Sequence, residues 1–381
     1  MGLTGGVLGW LVVVLAVAGF VVVVWAWPAV AGRTAGRIIA RVGMLLGVNL
    51  LVLLTVAVQL NDQFLFFADW TDLKGALGGT TATSALHSGG GSEQAAAAPV
   101  AGPAASAQVH GPLATLPAGS RVQDGVTSYS VTGPLSKITG QIVVGLPAGY
   151  DPAAADTGYP VLETFSGYPS SPTQWVKTMR LQAVLAEQAT AHRIRPTIVV
   201  SPQVEVPAGV DTECVNGEPS NPQLETWLTQ DVPDWLVAHF RVRTERASWA
   251  TIGLSAGGWC AAMAAMLHPA QYGAAVVMGG YFRPLFGPSY EPYQSGSALA
   301  KRYDLVALAK KSPEPLALWV ETSHADPVSY TSSTALLKAA RSPLSVSATI
   351  LQNAGHRIGI WQNLLPGALA WLGQNVPGFR P

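Results

Sequence analysis

Charge is scarce in this chain. Only 12% of its 381 residues are Asp, Glu, Lys or Arg, 49% are apolar, and 22 basic residues balance 22 acidic ones to a formal net charge of zero. That balance lacks the basic footprint a nucleic-acid surface requires, so no nucleic-acid partner is expected. The low charge and high apolar content also depart from ordinary soluble composition. Cysteine is scarcer still. Cys214 and Cys260 are the whole set, too few to hold a metal on their own but enough for one disulfide. No metal and no cofactor is expected, and no internal repeat is visible.

What the chain has in place of charge is two long apolar runs near its start. Val7 to Trp27 carries no ion and is long enough to cross a hydrocarbon core. Val42 to Leu60 is nearly as long and carries Asn49 and Gln59 but no ion. Trp25 and Trp27 fall where an interfacial aromatic belt would lie. A signal peptide is the competing reading of the first run. Against it stand the missing basic lead, the length of the run and the second run that follows at once. Arg33, Arg37 and Arg41 lie between the runs with no acid among them, whereas Asp62, Asp69 and Asp72 follow the second. Positive charge marks the cytoplasmic side, so both termini and everything after Leu60 are expected on the extracellular face of the cell membrane. Asn49 is a candidate for polar packing against the first run.

Residues 1–73 are therefore read as a two-helix membrane anchor (about 7–27 and 42–60), with the aromatic stretch Phe64 to Leu73 at the membrane surface or packed back on the helices. Residues 74–117 turn to Ala, Gly, Ser, Thr and Pro, a composition that buries no core and reads as a flexible linker. His87 and His110 sit in it and are assigned no role.

Residues 118–381 alternate strand and helix patterns. Strands are predicted over Ser128–Thr132, Gln141–Leu146, Tyr159–Phe165, Thr197–Val200, Trp249–Ile252, Ala274–Met278, Leu316–Val320 and Ser345–Leu351. Helices are predicted over Thr173–Ala191, most of Asn221–Phe240 with Pro233 as a candidate start of a new segment, Ala261–Leu267, Ser332–Ala340 and Trp361–Leu372. That alternation predicts an α/β fold: a mainly parallel sheet with helices on both faces, whose ligands bind at the carboxyl ends of the strands.

The segment TIGLSAGGWC, Thr251 to Cys260, organises the rest. It holds Gly253-Leu254-Ser255-Ala256-Gly257 between an apolar strand and a helix of small residues, the context of a nucleophile elbow. Glycines flank Ser255 because the turn is tight and needs close backbone approach. The N–H of Ala256, heading the helix, is placed to face an oxyanion. A Gly-rich strand–helix turn with a structural serine is the plainer alternative. A serine nucleophile needs a base, and the base an orienting acid, in the chain order Ser, Asp or Glu, His. His356 is the one histidine after the last strand. The acid belongs after Leu316–Val320, where Glu321 and Asp326 both qualify. Asp326 has the loop placement, and Glu321 stays open as the alternative. His324 precedes the acid and reads as a rim residue. The second oxyanion donor belongs to the loop after Tyr159–Phe165, where Gly167 allows close approach and the Tyr168 N–H is the candidate. Tyr168, Trp175, Tyr281 and Phe282 are candidates either for an acyl or aryl pocket or for the core.

LPAGYD, the SGYPS loop, GLSAGG, a loop acid, and Gly-His with a downstream Trp together resemble the putative esterase family of α/β-hydrolases, from about Gln141 to Leu372. That family takes in S-formylglutathione hydrolase (esterase D) and the antigen 85 mycolyltransferases of actinobacteria. The two-helix, tethered arrangement is similar to membrane-anchored actinobacterial forms. The resemblance implies Ser255 as nucleophile, His356 as base and Asp326 as acid. The chain departs from the family at the acid loop, Ser323-His324-Ala325-Asp326, and carries no mycolate-specific signature.

The reading that follows is an extracytoplasmic serine esterase acting on ester or acyl-lipid substrates through an acyl-enzyme. Two alternatives accompany it: transfer of the acyl group to a lipid or glycan alcohol, and a non-catalytic envelope scaffold. An exported domain permits a Cys214–Cys260 bridge, with two separate buried thiols as the alternative. The residues point to no oligomeric state.

Overall fold

The computed structural model describes residues 2–4, 6–78, 85–86, 116–154, 158–287, 290–311 and 314–381. Most of the expected linker, with His87 and His110, lies outside the described residues. The chain forms two compact units. One holds Met1–Ser84 together with His324–Asp326 and Gln352–Ile360, and the other holds Ala85–Ser323, Pro327–Leu351 and Trp361–Pro381.

In the first unit, two helices, Gly6–Ala26 and Ala35–Phe64, pack against each other. Both are long and apolar enough to cross a membrane. The second is longer than its uncharged stretch suggests, because Arg37 and Arg41 are taken into its first turns. Their guanidinium groups donate back to the carbonyls of Ala31 and Gly32, and Arg41 lies over the Trp27 ring. The expected partner of the first helix is replaced. Asn49 donates to the Leu45 carbonyl of its own helix, and Thr55 Oγ1 reaches the Val12 carbonyl at 3.2 Å. The C-terminal end of the second helix is stopped by Leu65 in the left-handed region, and a short helix, Trp70–Leu77, follows with Asp69 as its N-cap.

The second unit is built on a 10-stranded sheet. In chain order its strands are β1 Ala85–Leu86, β2 Ser120–Gln123, β3 Val126–Thr132, β4 Thr139–Gly145, β5 Val161–Phe165, β6 Ile198–Pro202, β7 Trp249–Leu254, β8 Ala274–Met278, β9 Leu316–Ser323 and β10 Leu344–Leu351. Their order across the sheet is β1-β10-β9-β8-β7-β5-β6-β4-β3-β2. The run from β10 to β6 is parallel, and β4, β3, β2 and β1 join antiparallel at the two margins. Every residue of β5, β6, β7, β8 and β9 is buried, as a parallel sheet covered on both faces requires. The mainly parallel sheet is the predicted one, but two margin strands went unpredicted. β1 falls in the stretch expected to be linker and pairs with β10 through two residues, and β2 is exposed SRVQ with no apolar alternation, the mark of a polar edge strand.

The helices differ from their sequence patterns at identifiable points. The helix expected over Thr173–Ala191 is two, Gln174–Lys177 and Leu181–Thr190, separated where Arg180 takes φ 52°. The expected Asn221–Phe240 helix runs as Leu224–Thr226, a π turn at Trp227–Asp231, and Val232–His239. Pro233 lacks the N–H that an α-helix uses there, and the wider turn ahead of it accommodates the loss. The helix expected from Ser332 begins earlier, at Pro327, because proline fits the first helical position. Trp175, Tyr281 and Phe282 prove to be core residues, 0%, 9% and 0% exposed, while Tyr168 is 40% exposed.

Two of the buried strands carry an acid, Glu163 in β5 and Glu321 in β9. Glu163 in β5 is fully buried and accepts the Tyr272 hydroxyl at 2.7 Å, while its Oε1 has no hydrogen-bond partner. Burial pushes this carboxyl from 4.5 up to about 8, against the opposing Tyr272 bond. At acid pH both folded and unfolded forms hold the proton. As pH rises through the window between those two values the unfolded chain ionises first, so stability falls. Glu163→Gln keeps the acceptor for Tyr272 and has no proton to lose. Its stability relative to the parent is expected to rise between about pH 5 and about pH 8.5. Denaturant midpoints measured at both pH values check this, and a pH-independent difference would contradict it.

Candidate active site

β7 and β8 end level with one another, Leu254 pairing with Met278, and Met278 pairs with Glu321 of β9, which runs on to Ser323. Ser255 follows β7 directly, at φ 57° and ψ −126°, and the helix Ala256–Leu267 starts at the next residue. A side chain at such a dihedral is strained by about 1–3 kcal/mol and needs a surround that enforces it. Here the surround is the backbone itself. A Cβ on Gly253 would lie 1.8 Å from the Gly257 carbonyl oxygen, and one on Gly257 would lie 2.2 Å from that of Phe165. The Ser255 N–H donates to the Met278 carbonyl at 2.9 Å, which ties the turn to β8.

The N–H of Ala256 belongs to the first turn of that helix, where backbone donors and the helix dipole favour an anion. The loop after β5 reaches the same place. A Cβ on Gly167 would come within 3.3 Å of Ser255 Cβ, so the glycine lets this loop lie against the serine. The Gly167 N–H is engaged by Gln174 Oε1 at 3.2 Å. Of the two loop candidates this turns attention to the Tyr168 N–H, whose side chain is fixed by a bond from its hydroxyl to the Gly209 carbonyl at 2.9 Å. Two acceptors that sequence reasoning did not single out hold the loop. Glu205 takes the Ser170 N–H at 2.5 Å, and the Ser171 carbonyl takes the Ser166 hydroxyl at 2.9 Å. Beside them lies a cavity of about 310 Å³, lined in part by Gln141, Ser170, Ser171, Gln203 and Glu205.

In the other unit, His356 and Asp326 are brought together: Nδ1 lies 2.7 Å from Asp326 Oδ2. Asp326 immediately precedes the helix that begins at Pro327, and only 6% of it is exposed. Glu321 lies inside β9, which extends past the predicted end to Ser323, and accepts the Trp361 indole N–H at 3.1 Å. A carboxylate on Nδ1 sets the imidazole tautomer so that Nε2 is the basic nitrogen.

Cys214 and Cys260 are joined as a disulfide with Cα atoms 5.7 Å apart. The bridge fastens the loop after β6 to the helix behind Ser255. Closing this chain segment contributes about 2–4 kcal/mol by restricting the unfolded state. Glu213, next to the bridge, holds the Trp259 indole through its carbonyl at 2.7 Å and the Tyr281 hydroxyl through its carboxyl at 2.5 Å. Burial pushes the Glu213 carboxyl well above the usual carboxylate range and that of Asp211 up to about 6. Nothing in the sequence around Cys214 signals this buried acid, because its partners come from distant elements. No group of three or more metal-ligating side chains occurs among the described residues.

A strained serine between a parallel strand and a helix, with a small-residue loop beside it, defines a serine hydrolase of the α/β-hydrolase fold. The chain belongs to the putative esterase family, whose sequence profile matches residues 137–372, and is a carboxylic ester hydrolase. Among solved structures it is similar to a ferulic acid esterase (TM-score 0.54, 17% identity, covering 65% of this chain and 96% of the other). It is also similar to an S-formylglutathione hydrolase from Agrobacterium tumefaciens (TM-score 0.53, 16% identity, 67% and 98%), and to a fluorophosphonate-binding serine hydrolase of Staphylococcus aureus (TM-score 0.51, 14% identity, 65% and 97%). At those identities the likeness is one of fold. A sequence relative, an uncharacterised protein of Corynebacterium glutamicum, is 32% identical over 129 residues, which is 34% of this chain and 30% of that protein.

Proposed function

We propose that this chain is a membrane-anchored, extracytoplasmic serine esterase in which Ser255 is the nucleophile, His356 the general base and Asp326 the acid that orients it. The observation that carries the reading is the forced dihedral of Ser255 at the carboxyl end of β7. The Asp326–His356 pair and the chain order Ser, Asp, His support it. Ser255 Oγ attacks the ester carbonyl as His356 takes its proton. The Ala256 N–H, with the Tyr168 N–H from the loop beside Gly167, stabilises the oxyanion. His356 then protonates the departing alkoxide, and water, deprotonated by the same imidazole, releases the acid and frees the serine.

The anchoring rests on the two long apolar helices, and residues 1–73, 74–117 and 118–381 are proposed as anchor, linker and catalytic domain. The orientation rests on Arg33, Arg37 and Arg41 at one end of the helix pair and Asp62, Asp69 and Asp72 at the other. The disulfide fits an oxidising compartment. Because the site is tethered to a bilayer, an acyl-lipid ester is a fitting substrate, and an acyl-enzyme can also pass its acyl group to a lipid or glycan alcohol.

A fluorophosphonate probe tests the mechanism without knowledge of the natural ester. The full chain in detergent micelles is expected to be labelled stoichiometrically at Ser255 and to turn over short p-nitrophenyl esters. Candidate alcohols added to that assay measure the partition between hydrolysis and transfer. Absence of both labelling and turnover would favour a non-catalytic scaffold.

A further inference from the structure

We infer that the segment leaving the second apolar helix, Leu65–Asp72, is a positioning element for His356, so that the anchor forms part of the catalytic apparatus and is more than a tether. The inference rests on the reading of His356 as general base.

The histidine loop is held from both sides within one unit of the chain. The His356 ring is fixed by Asp326, and its backbone N–H donates to the Leu65 carbonyl at 2.7 Å. Its neighbours are bound to the same segment. Asn353 Nδ2 donates to Asp69 Oδ2 at 2.8 Å, and the Gly355 N–H donates to Asp72 Oδ2 at 3.2 Å. Arg357 forms a two-pronged pair with Asp72, Nη1 to Oδ2 at 2.5 Å and Nη2 to Oδ1 at 2.6 Å. The pair is largely shielded, with side chains 11% and 6% exposed. The guanidinium also donates to the Phe66 carbonyl at 3.2 Å and lies 5.1 Å from the centre of the Phe67 ring. A Cβ on Gly355 would sit 2.3 Å from the Phe66 carbonyl oxygen, so only glycine lets the loop rest on this segment.

The segment is itself rigidly made. Asn61, at the end of the apolar helix, exchanges two hydrogen bonds with the Phe67 backbone, at 3.0 and 2.8 Å. Asp72 takes the Ala68 N–H at 3.0 Å, and Asp69 caps the following helix through the Asp72 N–H at 2.8 Å. A chain of bonds thus runs from the end of a membrane-length helix to the backbone of the candidate base. A passive tether requires none of these contacts. A planar, two-pronged Arg–carboxylate pair fixes orientation as well as distance, which is what an imidazole placed to within a fraction of an ångström requires.

The test uses the full chain in detergent micelles. Active sites are titrated with the fluorophosphonate probe, and kcat is expressed per titrated site for the parent, Asp72→Asn, Arg357→Gln, Arg357→Lys and Asn353→Ala. A misplaced base is expected to lower kcat per titrated site by roughly 10²-fold in Asp72→Asn and Arg357→Gln, with KM within about twofold of the parent. Arg357→Lys keeps the charge and is expected to recover part of that loss. Asn353→Ala removes one exposed bond and supplies a folded variant with a smaller loss in the same sense. If the variants merely contain fewer titratable sites, each with the parent kcat, the segment is only structural and the inference is overturned. A parent that labels and turns over beside equally active variants overturns the inference alone. A parent with no titratable site overturns the serine-esterase reading and this inference with it.

Discussion

Ser255→Ala is expected to lower kcat for ester hydrolysis by about 10⁴- to 10⁶-fold and to abolish labelling by fluorophosphonate. In the proposed mechanism the substitution removes the atom that forms the covalent bond, so no adjustment of the base or of the oxyanion donors can replace it. The Ala256 N–H and the loop beside Gly167 remain, and residual acceleration from such donors is of the order of 10³- to 10⁴-fold over water. The fold is expected to survive. The left-handed dihedral is enforced by the contacts of Gly253 and Gly257, and alanine carries a smaller side chain than serine into it. A Tm within a few degrees of the parent's, read beside the kinetics, separates lost chemistry from lost structure. Parent and variant with equal turnover would remove Ser255 from the mechanism.

How far the site can be read from sequence depends on how local its determinants are. The elbow is local. Two glycines, a serine and the helix of small residues occupy one stretch, and the close approaches of Gly253 and Gly257 give that spacing its physical reason. The parallel sheet is legible for the same kind of reason, since β5 to β9 are short strands dominated by apolar residues, although β5 carries Glu163 and β9 carries Glu321. The acid is half legible. Chain order narrows it to Glu321 and Asp326, but where β9 stops is decided by pairing with β10, whose Leu351 lies opposite Ser323. That pairing keeps Glu321 in the strand and leaves Asp326 at the mouth of the next helix. The grip on the histidine loop is not legible at all. Asp72 and Arg357 stand 285 residues apart, and each taken alone reads as an ordinary surface charge. The residues after the apolar helix were expected to lie against the membrane or the helices, and Phe67 and Leu73 do pack back on Leu8, Val12 and Val58. What the sequence does not signal is that the same segment also holds the loop that carries His356.

The choice between the two acids gives the second large effect. Asp326→Asn is expected to lower kcat by about 10⁴-fold, while Glu321→Gln changes it by less than about tenfold. The Asp326 carboxylate accepts from His356 Nδ1 at 2.7 Å, so the proton sits on Nδ1 and Nε2 is left basic. An asparagine amide there presents an N–H₂ face as readily as an oxygen. Where it donates to Nδ1, the imidazole proton moves to Nε2 and the base is lost, with little change of shape. The amide also removes the negative charge that stabilises imidazolium in the transition state. Glu321 answers to a different group. Its Oε2 accepts the Trp361 indole N–H, a bond that a glutamine oxygen can keep. Its substitution therefore bears on packing beneath Gly279, where the Trp361 ring would meet an added Cβ at 2.8 Å, rather than on proton transfer. Because both variants nearly preserve side-chain volume, the comparison isolates charge and tautomer. The opposite ranking, with Glu321→Gln the more damaging, would move the acid into β9. Equal small losses from both would leave His356 without an essential orienting acid.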